Sequence, residues 1–211
     1  MTLKHFRPHH FAIALALVSL VGCNNLSTLP AASTYPSLTT EVSNYQYLIG
    51  PGDSVNIFVW RNPEVSGSFI VRPDGKITTS LVEDIPVSGK TPTMLARDIE
   101  KVLSKYIREP IVTVTVSGFV GPYSEQIRIV GEAANPMSIS YRQNMTLLDV
   151  MVAVGGLTEF ADGNSAKLIR VENNQKKTYQ ILLEDLIKEG DISANADMLP
   201  GDIIIIPEAW F

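Results

Sequence analysis

Tyr47-Leu48-Ile49-Gly50-Pro51-Gly52-Asp53, running on into Ser54-Val55-Asn56-Ile57-Phe58-Val59-Trp60, is where the chain starts to fold. Pro51-Gly52 is a turn signal, and Val55, Ile57 and Val59 alternate as one face of a strand does. Downstream, residues 69–72 and 76–79 flank Pro73-Asp74-Gly75. There Pro presets φ, Asp bonds the local backbone and Gly accepts positive φ, which predicts a hairpin. Thr91-Pro92 reads as an N-cap followed by Pro at the first helical position. Met94, Leu95, Ile99, Val102, Leu103 and Tyr106 recur at helical spacing, and Pro110 is the expected stop. Val112, Val114 and Val116 sit in a β-branched run that reads as a partly buried strand. Residues 117–122 form the expected boundary between two units.

The second unit predicts strands at residues 126–130 and 137–140 around the turn Gly131-Glu132-Ala133-Ala134-Asn135-Pro136. Thr146 caps a helix carrying Leu147, Leu148, Val150, Met151 and Val154, and Gly155-Gly156 ends it. Strands at 167–172 and 177–182 join across Asn173-Asn174, and a short helix is expected near 183–188. Leu199-Pro200-Gly201-Asp202 then opens a last strand at 203–206. Pro-Gly-Asp before an aliphatic strand thus occurs twice, at Pro51-Gly52-Asp53 and Pro200-Gly201-Asp202, as one turn solution used twice. Strands outnumber helices in both units, so the fold class is α+β, with two small β-rich domains.

Upstream of Tyr47 the reading changes. Leu20-Val21-Gly22-Cys23 resembles the lipobox of bacterial lipoproteins, behind Lys4, Arg7 and an apolar run at residues 11–21. That run fits a signal sequence and is shorter than the roughly 20 residues of a membrane span. The expectation is a signal peptide over residues 1–22, cleavage before Cys23 and lipidation of its thiol. Residues 24–46 are Ser/Thr/Pro/Ala-rich without periodicity and read as a flexible tether. Asn24 is not the Asp associated with inner-membrane retention, so the expected place is the outer membrane, lipid-anchored and facing the periplasm.

Cleavage there also empties the chemical inventory. All three histidines lie at positions 5, 9 and 10, and Cys23 is the sole cysteine. The mature chain then has no Ser-His-Asp triad, Cys-His pair, disulfide or His/Cys-ligated zinc, and no metal or cofactor site is expected. Losing Lys4 and Arg7 takes Lys+Arg from 17 to 15 against 22 acidic residues, a net charge of −7. An acidic chain without a basic cluster is a poor nucleic-acid ligand.

Taken in order, the motifs resemble those of the polysaccharide export lipoproteins of Gram-negative bacteria. Tyr47 to Asp53, Val71-Arg72-Pro73-Asp74-Gly75-Lys76-Ile77, Gly89-Lys90-Thr91 and Tyr106-Ile107-Arg108-Glu109-Pro110-Ile111-Val112 are similar to their export domain, placed at 47–120. Val130-Gly131-Glu132, Pro136, Thr146-Leu147-Leu148-Asp149-Val150, Val154-Gly155-Gly156-Leu157, Leu168-Ile169-Arg170 and Leu199 to Asp202 resemble the SLBB domain, a small β-grasp-like module, placed at 121–208. The resemblance implies a non-enzymatic, ring-forming conduit for capsule or exopolysaccharide. It also implies an inner-membrane polysaccharide copolymerase as partner. Only four residues follow Pro207, which resembles the short subgroup, including that of exosortase-associated loci, without the C-terminal pore helix. A separate outer-membrane β-barrel would then complete the path. The alternative is a periplasmic lipoprotein that binds carbohydrate or a small ligand.

The residues singled out have ordinary readings beside these. The turn residues Pro51, Gly52, Gly75, Gly131, Gly155, Gly156, Pro200 and Gly201 suit turns whatever the function. The tip Arg72-Pro73-Asp74-Gly75 is either a plain exposed hairpin or a contact for a neighbour. Asp53, Asp74, Glu132 and Asp202 would be a glycosidase pair only if two of them faced each other across a cleft. Each lies in a turn, where a carboxylate bonds backbone. Trp60, Tyr123, Tyr141, Trp210 and Phe211 are open to sugar stacking, interface or core.

Overall fold

Val55, Ile57 and Val59 point to one side of β1 (Ser54–Val59), which is the middle strand of an antiparallel three-stranded sheet. The computed structural model describes residues 36–39 and 41–210; Cys23, the signal segment and Phe211 lie outside them. β2 (Gly67–Ile70) pairs with β1 in the register Val55↔Phe69. β3 (Lys76–Ile77) and β4 (Ile85–Pro86) form a separate two-stranded ladder. The turn at Pro73-Asp74-Gly75 is real, since the Gly75 N–H donates to the Arg72 carbonyl at 2.8 Å. The predicted hairpin closes only at its tip, where the Arg72 N–H donates to the Lys76 carbonyl at 3.0 Å, and beyond it β2 pairs with β1 and β3 with β4.

α1 (Pro92–Leu103) lies across the sheet against the next strand, β5 (Val112–Ser117). Thr91 caps it by accepting the Met94 N–H at 3.2 Å. Leu95, Ala96, Ile99 and Leu103 form its buried stripe, while Met94 and Tyr106 face solvent. The helix ends at Leu103, before Pro110, where Ser104 bonds back to the Lys101 carbonyl at 2.8 Å. Ile49, Val71, Ile77, Val87, Val112 and Val114 complete this first core. Each such side chain contributes about 1.5–3 kcal/mol by leaving water.

The second core has its own sheet. β6 (Gln126–Gly131), β7 (Ser138–Ser140), α2 (Leu147–Ala153), β8 (Ala166–Glu172), β9 (Gln175–Ile181) and β10 (Ile203–Ile206) follow in sequence. The strand order is β7-β6-β10-β8-β9, so the first and last strands of the unit meet at the centre. β10 runs parallel to β6 and antiparallel to β8, the β-grasp-like arrangement expected. A complete capping box starts α2: the Asp149 carboxylate accepts the Thr146 N–H at 2.8 Å, and Thr146 Oγ1 accepts the Asp149 N–H. Leu147, Val150 and Met151 bury its inner face against Ile127, Ile129, Leu168, Ile204 and Ile206. Asn173 and Asn174 both take positive φ, 51° and 60°, in the β8–β9 turn. The expected helix near 183–188 opens as a helical turn at Leu183 and widens into a π-helical turn, Asp185–Glu189, that Gly190 closes at φ 71°.

The segment read as tether is partly fixed. The Glu125 carboxylate accepts the Ser37 hydroxyl at 2.9 Å, the Leu38 N–H at 2.5 Å and the Thr39 hydroxyl at 2.5 Å. Val42 and Tyr45 pack on the second core, and Ile49 already belongs to the first. The chain therefore straps across one unit before it builds the other.

Candidate functional site

Pro51 and Gly52, the latter at φ 91°, reverse the chain so that Asp53 turns inward and is fully buried. Its Oδ2 accepts the Gly50 N–H at 2.8 Å and the Tyr47 hydroxyl at 2.6 Å. Its Oδ1 accepts the Val120 N–H at 2.6 Å and the Gly121 N–H at 3.3 Å. One carboxylate thus ties the start of the first unit to the connector leading to the second. No cation is among these partners; four neutral donors carry the charge, as buried carboxylates require. Burial first, and the bond to Asp53 second, push the Tyr47 phenol far above its ordinary pKa, so it stays a donor. Gly50 is obligatory beside it, because a Cβ there would stand 1.9 Å from the Gly121 carbonyl carbon.

The second Pro-Gly-Asp repeats this turn. Asp202 Oδ2 accepts the Leu199 N–H at 2.8 Å, as Asp53 does from Gly50. In both turns the Asp N–H donates back to the residue three earlier at 3.2 Å. The charge is handled differently: Arg170 grips Asp202 with Nε at 2.9 Å and Nη2 at 2.7 Å, and also donates to the Asp197 carbonyl at 2.9 Å.

The remaining turn residues stand apart. Arg72 bridges Asp74 and, at 2.7 Å, Asp84 at an exposed tip. Glu132 accepts the Thr158 hydroxyl at 2.6 Å. Gly131, at φ 91°, lets the Ile206 carbonyl approach β6, where a Cβ would sit 1.9 Å from its oxygen. Gly155 and Gly156, at φ 79° and 87°, end α2 as expected. Asp53 and Asp202 are sealed inside their turns, and Asp74 and Glu132 are already paired. Among the described residues no group of three or more His, Cys, Asp or Glu could hold a metal ion.

What the structure does gather is an open groove of about 1120 Å³, walled by Tyr45, Tyr47, Phe119, Met137, Tyr141 and Val152. Tyr47 and Phe119 meet edge to face at 5.4 Å, and Tyr45 and Tyr141 at 5.1 Å. Burial, with Glu125 and Tyr141 nearby, pushes the Tyr45 phenol up to about 12. Beside these rings runs β7, the end strand of its sheet, with one edge unpaired among the described residues. Of the aromatics singled out in the sequence, Tyr141 is buried in this wall, while Trp60, Tyr123 and Trp210 are exposed. Sequence reasoning missed Tyr45, Tyr47 and Phe119. The two-residue spacing of Tyr45, Tyr47 and Ile49 was the available signal for an extended segment.

Comparison with known proteins assigns both halves. Residues 41–117 match the family model described as polysaccharide biosynthesis/export protein, and residues 126–181 match the SLBB domain. The chain is 26% identical to the EPS I polysaccharide export outer membrane protein EpsA of Ralstonia nicotianae over 187 residues, covering 77% of this chain and 47% of that protein. It is 25% identical to the capsule polysaccharide export protein BexD of Haemophilus influenzae over 179 residues, 76% of this chain and 43% of the relative. With the exopolysaccharide production protein ExoF of Rhizobium meliloti it shares 28% over 131 residues, 56% of this chain and 30% of the relative. The chain spans half or less of the length of these curated relatives. This chain therefore carries a polysaccharide biosynthesis/export domain at residues 41–117 followed by an SLBB domain at residues 126–181.

Proposed function

We propose that this chain is a lipid-anchored wall component of a polysaccharide export conduit, assembled as a ring at the periplasmic face of the outer membrane. In this reading Cys23 carries the anchor, the export domain spans 47–120 and the SLBB domain 121–208. The partners are an inner-membrane copolymerase and a separate outer-membrane β-barrel. The observation that carries it is the junction at Asp53. A buried carboxylate that fastens two cores together makes a stiff two-module block, with a groove and an unpaired strand edge left for a neighbour. A ring needs a heterologous interface that closes, and a wall needs to let its cargo go. Neither task consumes a catalytic group. Deleting the gene should stop polymer appearing in the medium, and detergent-extracted protein should run as a closed oligomer. Unchanged secretion together with a monomer would overturn the proposal. Cys23→Ser should abolish acyl labelling and membrane association.

The aromatic groove favours a second reading, a periplasmic lipoprotein that binds a carbohydrate or small ligand. Calorimetry giving one tight site per monomer, lost on Tyr47→Ala, would support that reading over the conduit.

A further inference from the structure

Strand β1 buries Val55, Ile57 and Val59 in the first core and turns Asn56 and Phe58 outward, with Trp60 exposed just past its end. The register places Asn56 between Ser68 and Thr115, Ser54 between Ile70 and Ser117, and Phe58 beside Thr113. Trp60 follows next to Ile111, to whose carbonyl its N–H donates at 2.9 Å. The uncovered face of the sheet β2-β1-β5 is thus a grid of serine, threonine and asparagine crossed by Phe58, Trp60, Ile70 and Ile111. None of these side chains is charged. The four apolar ones stay 49%, 55%, 72% and 61% exposed, in that order, and the Phe58 and Trp60 rings meet edge to face at 6.3 Å. The five-stranded sheet is not built this way: Arg128, Lys167, Lys176 and Lys177 all stand exposed on its strands.

We propose that the outer face of β2-β1-β5 is the surface along which an uncharged, hydroxyl-rich polysaccharide moves. The proposal rests on the export reading and names the cargo's chemistry and its contact surface. Hydroxyl and carboxamide groups both donate and accept, so they exchange bonds with sugar hydroxyls or with water at little net cost. The two rings offer flat apolar area for the aliphatic face of a pyranose. None of the side chains named on this face is a cation that would pin a uronate or sulfate, and none is a carboxylate that would add a strong charge-assisted bond and slow release. A second copy seated here would instead pack these side chains into a dry interface core.

The chain has two tryptophans, Trp60 and Trp210, so Trp210→Phe leaves Trp60 as a single fluorescent reporter at one end of this face. The full-length detergent-solubilised protein carrying Trp210→Phe is titrated with dextran as a neutral polymer and with alginate as a polyanion. Dextran should shift Trp60 emission, with an affinity about tenfold weaker after Phe58→Ala. Thr115→Glu, at an exposed strand position, should weaken the response comparably without changing the denaturation midpoint. A Trp60 signal that follows protein concentration and ignores polymer assigns the face to a second copy and overturns the proposal. Response to alginate alone, or to neither polymer, also overturns it. Secretion separates this from the export reading. If gene deletion abolishes exported polymer but the Phe58→Ala and Thr115→Glu chains restore it fully, the face is wrong and the conduit stands. If deletion changes nothing, the conduit reading itself falls.

Discussion

Asp53 and Asp202 occupy the same turn and solve one electrostatic problem in two ways. Asp53 leans on four neutral donors, so Asp53→Ala strands the Gly50 and Gly121 amides in the interior. That should lower unfolding free energy by about 3 kcal/mol, read from the denaturant midpoint. Asp202 relies on Arg170, and Arg170→Ala leaves a carboxylate that is 1% exposed without its cation. A loss of about 3–4 kcal/mol is expected, with Arg170→Lys recovering only part because an ammonium cannot reproduce the two-pronged grip. The tyrosines add a pH limit. The Tyr45 phenol rises from an ordinary 10.0 to about 12 because burial disfavours the phenolate. Folding therefore keeps a proton that the unfolded chain gives up first. This contribution is intact below pH 10 and is lost as pH climbs from 10 through 12. Denaturant midpoints measured across that interval should fall, and fall less steeply in Tyr45→Phe.

Elements whose determinants are local were legible before any coordinates. Thr91-Pro92 starts α1, Thr146 with Asp149 starts α2, and Val55, Ile57 and Val59 define β1, because caps and alternation act within a few residues. The β-branched run at β5 and the paired asparagines between β8 and β9 were equally readable. Pairing was not. Nothing near Pro73-Asp74-Gly75 says that β3 will find β4, or that β2 will turn to β1, since those choices depend on what α1 leaves to be covered. The groove stayed hidden for a related reason: Tyr45, Tyr47, Phe119 and Tyr141 come from three distant stretches that only the Asp53 clamp and the β7 edge bring together. Gly131 sits at such a pairing. At φ 91°, with a Cβ destined for 1.9 Å from the Ile206 oxygen, Gly131→Ala should separate β10 from β6 at that end. A loss of about 3 kcal/mol or more is expected, with amide exchange accelerated first in β10.

Glu125 sets how the whole molecule meets whatever holds it. Its carboxylate is 4% exposed and gathers Ser37, Leu38 and Thr39 from nearly ninety positions away, so the incoming chain leaves the folded body at one defined place, beside Gly201. In the lipoprotein reading, 13 residues separate Cys23 from Ser37, and even fully extended that span reaches about 50 Å. In that reading a strap fixed at Glu125 would limit the distance of the folded body from the membrane. A tether free up to Tyr47 would add ten residues of slack to that reach. Glu125→Ala removes the acceptor for all three strap donors, while neither core loses a packed side chain of its own. Proteolysis at residues 36–41 should accelerate by about tenfold or more, as expected when charge-assisted bonds worth about 1.5–3 kcal/mol each are lost. The midpoint for global unfolding should move far less than for Asp53→Ala. Equal cleavage of parent and variant would show that Val42 and Tyr45, seated on the second core, hold the strap without the carboxylate.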